Sequence, residues 1–325
     1  MIDLPTKVRL DRLDQLADWV EVCALAAEAG TVSQAEVADV VHDAGLLGGA
    51  PGELFAGEAD FRSEDDMSED DPLQSFSEEV WAVLARRTHL LGERYALEVD
   101  GELVTVRGGS WRAAPCFAAL TLLANIAQYP LAIELAEVEG IRFSHLFEKI
   151  VQASGRGLFQ GTTARFGVPQ DPGWPTPIDD RIRHLGSLMR LRVEDLEDKT
   201  HPLDGDKTLD VVSRLSYGDD GPGSVIVMAQ CATGRHWQDK RAEPVLALWE
   251  DVLRWDAVLV RALAVPWWLG DEREYARQFR HFNKAIILDR PRLLAGRPED
   301  HFDPDYRVLL ESWCEGQLER LPQLA

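Results

Sequence analysis

Two polar side chains lie in apolar segments whose pattern is typical of adjacent β-strands. Asp210 falls within the strand predicted over Leu209–Leu215, and Gln230 ends the strand predicted over Ser224–Gln230. The short segment YGDDGPG between them predicts a turn, so the strands are expected to lie side by side. A buried carboxylate is costly without a hydrogen-bond network, a counter-charge or a metal ion. Asp210 and Gln230 are therefore either a polar pair that ties two strands together or oxygen ligands of one divalent cation such as Mg²⁺.

The two segments that carry these residues, GDKTLDVVSRLS and SVIVMAQCATGRHW, resemble a known active-site hairpin. It is that of the PD-(D/E)XK restriction-endonuclease-like superfamily, nearest the branch that restricts modified DNA. There an Asp enters a strand from a short Gly-containing turn, and the next strand ends in Gln-x-Lys. The resemblance implies that Asp210 and Gln230 bind Mg²⁺ or Mn²⁺, and that Glu148 in HLFEKI is the further glutamate of a preceding helix. It implies a metal-dependent, DNA-directed nuclease with a role in restriction or anti-phage defence.

The lysine of the Gln-x-Lys pattern is missing, because its position is Ala232. A lysine two residues after the metal ligand projects to the same face of the strand, where it can orient or deprotonate the attacking water. Lys240 is the candidate for a relocated lysine, whereas Arg235 is closer in sequence but is a poor base. The alternative is a catalytically inactive nuclease-like scaffold that binds partners.

The remaining pattern of the second half predicts an α/β fold. Helices are predicted before the strand pair, and alternating helices and strands follow it: Phe143–Ala153, Ile178–Arg190, Pro244–Leu253, Val258–Val265, Glu272–Phe282, Ala285–Arg290 and Tyr306–Leu321. Two strands joined by a turn and then helix-strand units favour a mixed sheet flanked by helices. We expect this restriction-endonuclease-like domain to cover residues 136–325.

Residues 1–135 predict a mainly helical domain. A helical pattern over residues 8–29 stops at Gly30, and Ser33 with Glu36 forms a capping box for a helix over Gln34–Ala44. This is typical of a helix-turn-helix-like element and equally of a plain helical bundle. A hairpin is predicted around Asp100-Gly101, with helices before it at 78–91 and after it at 115–129.

Charge is distributed unequally between the two halves. Residues 1–135 hold 9 Lys and Arg against 25 Asp and Glu, a net of -16, so the rest of the chain carries -6 of the total of -22. Because nonspecific nucleic-acid affinity depends on basic side chains, we expect any such chemistry in the second half. Residues 48–77 contain two acidic clusters and predict a loose linker, which either is simply solvated or docks on a basic protein partner.

Some basic and aromatic residues near the predicted site have two interpretations. His236 and Trp237 either line a substrate pocket or pack the turn after the second strand. A basic set either faces phosphates or simply covers a helix surface: Arg181, Arg183, Arg190, Arg192, Arg235, Lys240 and Arg241.

Composition narrows the class of protein. A chain of 325 residues with 45% hydrophobic and 28% charged residues favours two globular domains without a membrane span. The N-terminus lacks the apolar run of a signal peptide, and the four scattered cysteines predict buried free thiols in a reducing cytoplasm. Phosphate-loop, G-x-S-x-G and H-E-x-x-H motifs do not occur in the sequence.

Overall fold

The chain divides into two compact units. Unit 1 comprises Met1–Leu135 and Trp313–Ala325, and unit 2 comprises Ala136–Ser312. The computed structural model describes residues 13–43, 72–128, 142–197, 208–215, 217–219, 223–234, 236–254, 257–270 and 272–321. Across these ranges, no helix is both long enough and apolar enough to cross a lipid bilayer.

Unit 1 combines helices with a small antiparallel sheet. Its described helices are α1 (Leu13–Ala26), α2 (Gln34–Asp43), α3 (Pro72–Leu91) and α4 (Pro115–Gln128). Its described strands are β1 (Thr31–Ser33), β2 (Leu97–Asp100) and β3 (Leu103–Val106), with β3 in the centre. The hairpin around Asp100-Gly101 is confirmed, and Gly101 has the positive φ of +55° that this turn favours in glycine.

The local signals at the start of α2 are also confirmed. Ser33 N donates to Glu36 Oε2 at 2.7 Å, and Glu36 N donates to Ser33 Oγ at 3.2 Å, which is the reciprocal capping box. The hydrogen bond from the Ser33 backbone, followed by that from its hydroxyl, lowers the pKa of Glu36.

The sequence did not predict all the regular structure of unit 1. The chain turns at Gly30 as expected, but Thr31–Ser33 then pairs with β3 as a third strand. The prediction of a loose linker over 48–77 is wrong at its end, because α3 already begins at Pro72. Residues 48–71 of that predicted linker lie outside the described residues. In both places regular structure extends beyond the residues whose local pattern predicts it.

Unit 2 is built on a mixed sheet. The helices that begin in its described part are α5 (Phe143–Phe159), α6 (Ile178–Met189), α7 (Leu246–Glu250), α8 (Glu272–His281), α9 (Arg290–Ala295), α10 (Pro298–His301) and α11 (Pro304–Leu318). The described strands are β4 (Thr163–Arg165), β5 (Arg192–Val193), β6 (Val211–Arg214), β7 (Ser224–Cys231), β8 (Leu253–Arg254), β9 (Ala257–Ala264) and β10 (Ile286–Leu288). The unit boundary falls inside α11.

The five-stranded sheet has the order β10-β9-β7-β6-β4. β4, β6 and β7 are antiparallel neighbours, whereas β7, β9 and β10 run parallel. One face packs on α5, where a Cβ on Gly155 would lie only 2.6 Å from Ser213 Oγ of β6. The other face packs on α6 and α7 through a core that includes Ile182, Trp249 and Met228. The prediction of an α/β fold with a mixed sheet flanked by helices is confirmed.

All four cysteines are buried thiols that form no disulfide, as the sequence predicts. Burial raises the pKa of the Cys231 thiol well above its usual range, and the negative charge of Asp210 adds to this effect. Cys231 is therefore a neutral thiol rather than an activated nucleophile or a thiolate metal ligand.

Asp289, directly after β10, makes the stability of unit 2 depend on pH. It is 0% exposed, and this burial raises its pKa from 3.8 to about 6, although Tyr275 and the backbone N–H of Leu269 donate hydrogen bonds to it. The native state therefore keeps a proton that the unfolded state releases, so stability is complete below about pH 4 and is lost as the pH rises through about 6.

We expect Asp289→Asn to remove this loss. At pH 7.5 the variant should be more stable on the order of 2 to 3 kcal/mol, because each pKa unit corresponds to about 1.4 kcal/mol, whereas the two proteins should differ little near pH 4. Urea denaturation at both pH values measures the difference. The exposed Asp300→Asn is the control, and an equal gain at both pH values would contradict the assignment to Asp289.

Candidate functional site

Glu148 lies on the face of α5 that packs against the sheet. The helix is buried here at Leu146, Phe147 and Ile150, and Glu148 itself is only 8% exposed. Its partner is Arg165 at the end of β4, whose Nε lies 2.8 Å from Glu148 Oε2. Arg165 is 1% exposed, so the two opposite charges compensate each other in the interior.

Asp210 immediately precedes β6 rather than lying inside it. Its backbone N–H donates to Ala229 O at 3.1 Å and its carbonyl accepts from Phe166 N at 2.7 Å, which holds it between β7 and the end of β4. Asp210 Oδ2 accepts hydrogen bonds from Gln230 Nε2 at 2.7 Å and from Cys231 N at 2.6 Å. The two residues that the hairpin was predicted to bring together are thus in direct contact, and both are buried.

The carbonyl oxygen of the Gln230 side-chain amide is not used in the contact with Asp210. With Nε2 directed to Asp210, Oε1 is buried and has no hydrogen-bond partner among the described residues. A buried carbonyl oxygen without a donor loses the free energy of its hydration, so a cation or a donor from a ligand would stabilise it. This oxygen is the group that a divalent cation would use.

Gly167 separates the two carboxylates. A Cβ on this residue would lie 2.4 Å from Glu148 Oε2 and 3.5 Å from Asp210 Oδ1, so these two oxygens are at most about 6 Å apart. The backbone of Gly167 is outside the left-handed region, so space rather than conformation requires a glycine here. Glu148 and Asp210 therefore face one small space that a side chain on residue 167 would fill, and Gln230 is joined to it through its hydrogen bond to Asp210.

We expect Gly167→Ala to impair any chemistry at this site without removing a single functional group. The new methyl group must displace Glu148 or the backbone, and a misplacement of about 1 Å can reduce a catalysed rate by about 100-fold. Steady-state turnover and the melting temperature should be measured together. Gly234→Ala is the matched control, because a Cβ on Gly234 meets nothing within 4 Å. Equal activity of both variants would show that the space beside Gly167 is not used.

Lys240 folds back onto the end of β7. It ends a 3-10 helix (Trp237–Lys240), and its Nζ donates to Cys231 O at 3.1 Å. Gln230 Nε2 approaches the same carbonyl at 3.4 Å, so the ammonium and the amide lie beside one another. Ala232, two residues after Gln230, is 2% exposed and packs in the core. Lys240 is thus at the same end of β7 as Asp210 and Gln230.

The turn that positions Lys240 is held by aromatic packing. Trp237 stacks on Phe282 with ring centroids 5.3 Å apart and an interplanar angle of 19°, and it meets the edge of Trp267 at 5.2 Å. Trp237 is buried, whereas His236 is exposed. Of the two interpretations of Trp237, the geometry supports packing of the turn.

The sequence did not predict Arg165 and Asp171, which fix the position of Glu148. Arg165 Nη1 donates to Pro169 O at 2.7 Å and to Asp171 Oδ1 at 3.2 Å, which fixes the guanidinium. Asp171 also accepts a hydrogen bond from Lys149 and lies 3.6 Å from His145 Nε2. Burial raises the pKa of Asp171, but the nearby His145, the hydrogen bond from Lys149 and the positive charges of Lys149 and Arg165 outweigh it and lower the pKa overall. Asp171 therefore stays ionised and orients Arg165 toward Glu148.

One member of the basic set, Arg181, belongs to the core rather than to a phosphate-facing surface. Arg181 is buried, donates to Phe166 O and lies over the Phe166 ring at 4.5 Å, so it belongs to the core. Arg183 is exposed but pairs with Asp180 at 3.1 Å. Arg192 and Arg241 are exposed, and Arg235 lies outside the described residues.

The side chains predicted as candidate metal ligands are carboxylates and an amide rather than histidines or cysteines. Within the ranges that the structure describes, no three or more His, Cys, Asp and Glu residues are grouped so that they could hold a metal ion by themselves. An oxygen-only set that leaves positions for water and phosphate is the coordination that Mg²⁺ favours. Comparison of the chain with protein-family models, curated proteins and solved structures gives no match.

Proposed function

We propose that unit 2 is a Mg²⁺- or Mn²⁺-dependent nuclease that acts on DNA. One observation carries this proposal: Glu148 from α5, Asp210 before β6, Gln230 at the end of β7 and Lys240 from the next turn converge at one edge of the sheet. These elements are distant in sequence, so the convergence is a property of the fold.

The order of elements supports a restriction-endonuclease-like fold. A helix with a glutamate precedes an antiparallel strand pair, and a helix and then a parallel strand, β9, follow the second strand of that pair. This is the order that the resemblance of the hairpin segments implies. Asp210 and Gln230 lie at the end of the strand pair that is away from its turn, as that resemblance also implies.

The residues present fit a hard divalent cation. Asp210 and Gln230 would hold it, because Gln230 Oε1 is buried with no donor from the described part of the chain and Gly167 leaves space between the carboxylates. Glu148 would be an auxiliary acidic group beside them. When bound, such an ion polarises a phosphate and lowers the pKa of a coordinated water.

The other side chains would orient the reacting groups. Lys240 places a positive charge beside the end of β7, where it can hold a phosphate oxygen or orient the attacking water. Its Nζ donates to Cys231 O at 3.1 Å, and this hydrogen bond fixes the position of the side chain at the end of β7. Arg165 keeps Glu148 in place, and the near-complete burial of both residues strengthens this electrostatic interaction.

The test is cleavage by the purified full chain. Supercoiled plasmid and single-stranded DNA are incubated with Mg²⁺, with Mn²⁺ and with a chelator, and products are followed on gels. We expect cleavage with either metal and none with the chelator. Cleavage that persists in the chelator would contradict the metal assignment, and absence of cleavage on every substrate would contradict the nuclease proposal.

A noncatalytic scaffold with a nuclease-like fold is the second candidate. Ala232 favours it, because this buried residue occupies the position of the usual lysine and can neither donate a proton nor hold a phosphate. In that case metal ions would neither support cleavage nor raise the melting temperature. The acidic N-terminal half would in either case suit a basic protein partner, and the setting that the hairpin resemblance implies is restriction or anti-phage defence.

A further inference from the structure

Two arginines of unit 2 lie directly opposite each other on a short antiparallel ladder. β5 pairs with β8 so that Arg192 faces Arg254 and Val193 faces Leu253. Leu253 is buried in the core beside α6, and side chains alternate along a strand. Arg192 and Arg254 therefore share the opposite face of the ladder, and both are exposed.

This cross-strand pair is electrostatically unfavourable on its own. Side chains at directly opposed positions have Cβ atoms about 5 Å apart, and like charges there are destabilising. Neither guanidinium forms an ion pair with any described carboxylate, and Glu194, two residues along the same face from Arg192, pairs with neither. By contrast, Arg183, Arg277 and Arg307 of the same unit each have an acidic partner within 3.1 Å.

The absence of a counter-charge among the described residues is informative in this chain. With a net charge of -22, carboxylates are abundant, yet the described surface leaves these two positive charges side by side. A ligand with delocalised negative charge removes the repulsion and accepts parallel hydrogen bonds from both planar guanidinium groups. Phosphate groups have this charge and geometry.

We propose that Arg192 and Arg254 form a clamp for a phosphate group, and that its ligand is the phosphodiester backbone of nucleic acid. The clamp itself follows from the ladder register, whereas the identity of its ligand rests on the proposed nuclease function. Arg254 lies three residues before Ala257, which pairs with Ser224 at the start of β7, so the clamp lies toward the opposite end of that strand from Gln230.

The clamp and the candidate site lie toward opposite ends of β7. Six residues of strand separate Ser224 from Gln230, which corresponds to about 20 Å at 3.3 Å per residue. Each strand of a B-form duplex has one phosphate per about 3.4 Å of helix axis, so this length of β7 corresponds to about six base pairs. The clamp would therefore hold the backbone away from the bond that is cleaved and contribute affinity without sequence preference.

The test is binding in the absence of metal, which does not depend on cleavage. Fluorescence anisotropy with a labelled 30-nucleotide single strand and the matching duplex compares the full chain with Arg192→Gln/Arg254→Gln. The matched control is Arg183→Gln/Arg277→Gln, which removes the same charge from arginines that already have partners. We expect the clamp variant to bind about tenfold more weakly and to lower the slope of log affinity against log salt by about 1, with less than a twofold change in the control.

Two further measurements are the melting temperature of each variant and its stabilisation by inorganic phosphate. The melting temperature of the clamp variant should be unchanged or higher, because a like-charge pair is removed, so weaker binding would not reflect unfolding. Equal DNA affinity and equal stabilisation by inorganic phosphate in the two double variants would overturn the clamp. A third outcome is that the two double variants bind DNA equally, but only the clamp variant loses its stabilisation by inorganic phosphate. That outcome would overturn the assignment of nucleic acid as the ligand of the clamp.

The clamp and the nuclease proposals fail in different ways. Wild-type protein that binds DNA through the clamp but cleaves nothing would contradict the nuclease alone. If the wild type cleaves DNA and the two double variants bind DNA equally, the clamp alone is contradicted.

Discussion

Asp210→Ala is expected to reduce metal-dependent cleavage of plasmid DNA by about 10³-fold, because metal stabilisation of a transition state is worth several kcal/mol. The substitution also removes the acceptor of two buried hydrogen bonds, from Gln230 Nε2 and Cys231 N. Loss of structure alone could therefore imitate a catalytic effect. Asp210→Asn addresses this, since its carbonyl oxygen can accept the same two hydrogen bonds while the negative charge is absent.

The two variants are compared in one set of measurements. Initial cleavage rates, melting temperatures and the shift of melting temperature on adding Mn²⁺ are recorded for wild type, Asp210→Ala, Asp210→Asn and the exposed control Asp300→Ala. We expect both Asp210 variants to lose cleavage and the Mn²⁺ shift, and Asp300→Ala to retain both. A rate near wild type for Asp210→Asn would show that the carboxylate is not a metal ligand, and that the contact with Gln230 is only a structural pair.

The largest effect on stability is expected from Arg87→Met in unit 1. Arg87 of α3 is 0% exposed, and its Nη1 lies 2.7 Å from both Asp18 Oδ1 and Glu21 Oε1 of α1. Tyr95 Oη also donates to Glu21 Oε1 at 2.7 Å. Burial opposes the charge of Arg87, but Glu21 and Asp18 raise its pKa well above the usual value. Methionine would leave two buried carboxylates without their cation, which costs about 3 to 5 kcal/mol.

Urea denaturation followed by circular dichroism measures this loss. Arg86→Met is the matched control, because Arg86 is exposed and its surface ion pair with Asp14 is worth at most about 1 kcal/mol. The triple variant Asp18→Asn/Glu21→Gln/Arg87→Met should recover part of the lost stability, since it buries no uncompensated charge. If Arg87→Met and Arg86→Met are equally stable, the buried cluster does not hold α1 against α3.

The sequence predicted the features that depend on neighbouring residues. The capping box of Ser33 and Glu36 and the turn at Asp100-Gly101 follow from local hydrogen bonds and backbone preferences. The contact of Asp210 with Gln230 also follows, because a short turn constrains two strands to pair. Element bounds were less accurate, as at α3, because tertiary packing decides where regular structure ends.

Only the tertiary structure decided which distant residues complete the site. Gly167 separates the carboxylates, and Arg165 holds Glu148, through contacts that no local spacing encodes. Lys240 reaches the end of β7 because Trp237 packs against Phe282 and Trp267, which follow it in sequence by 45 and 30 residues.

The same division holds for charge. The sequence alone shows a chain of net -22 whose net negative charge is concentrated in residues 1–135, where basic residues are few, and this disfavours nucleic-acid binding there. It does not show that Arg192 opposes Arg254, because β5 and β8 are separated by about 60 residues and pair only when the core beside α6 forms. Local pattern thus determined the helices and the hairpin, and long-range packing determined which charges meet.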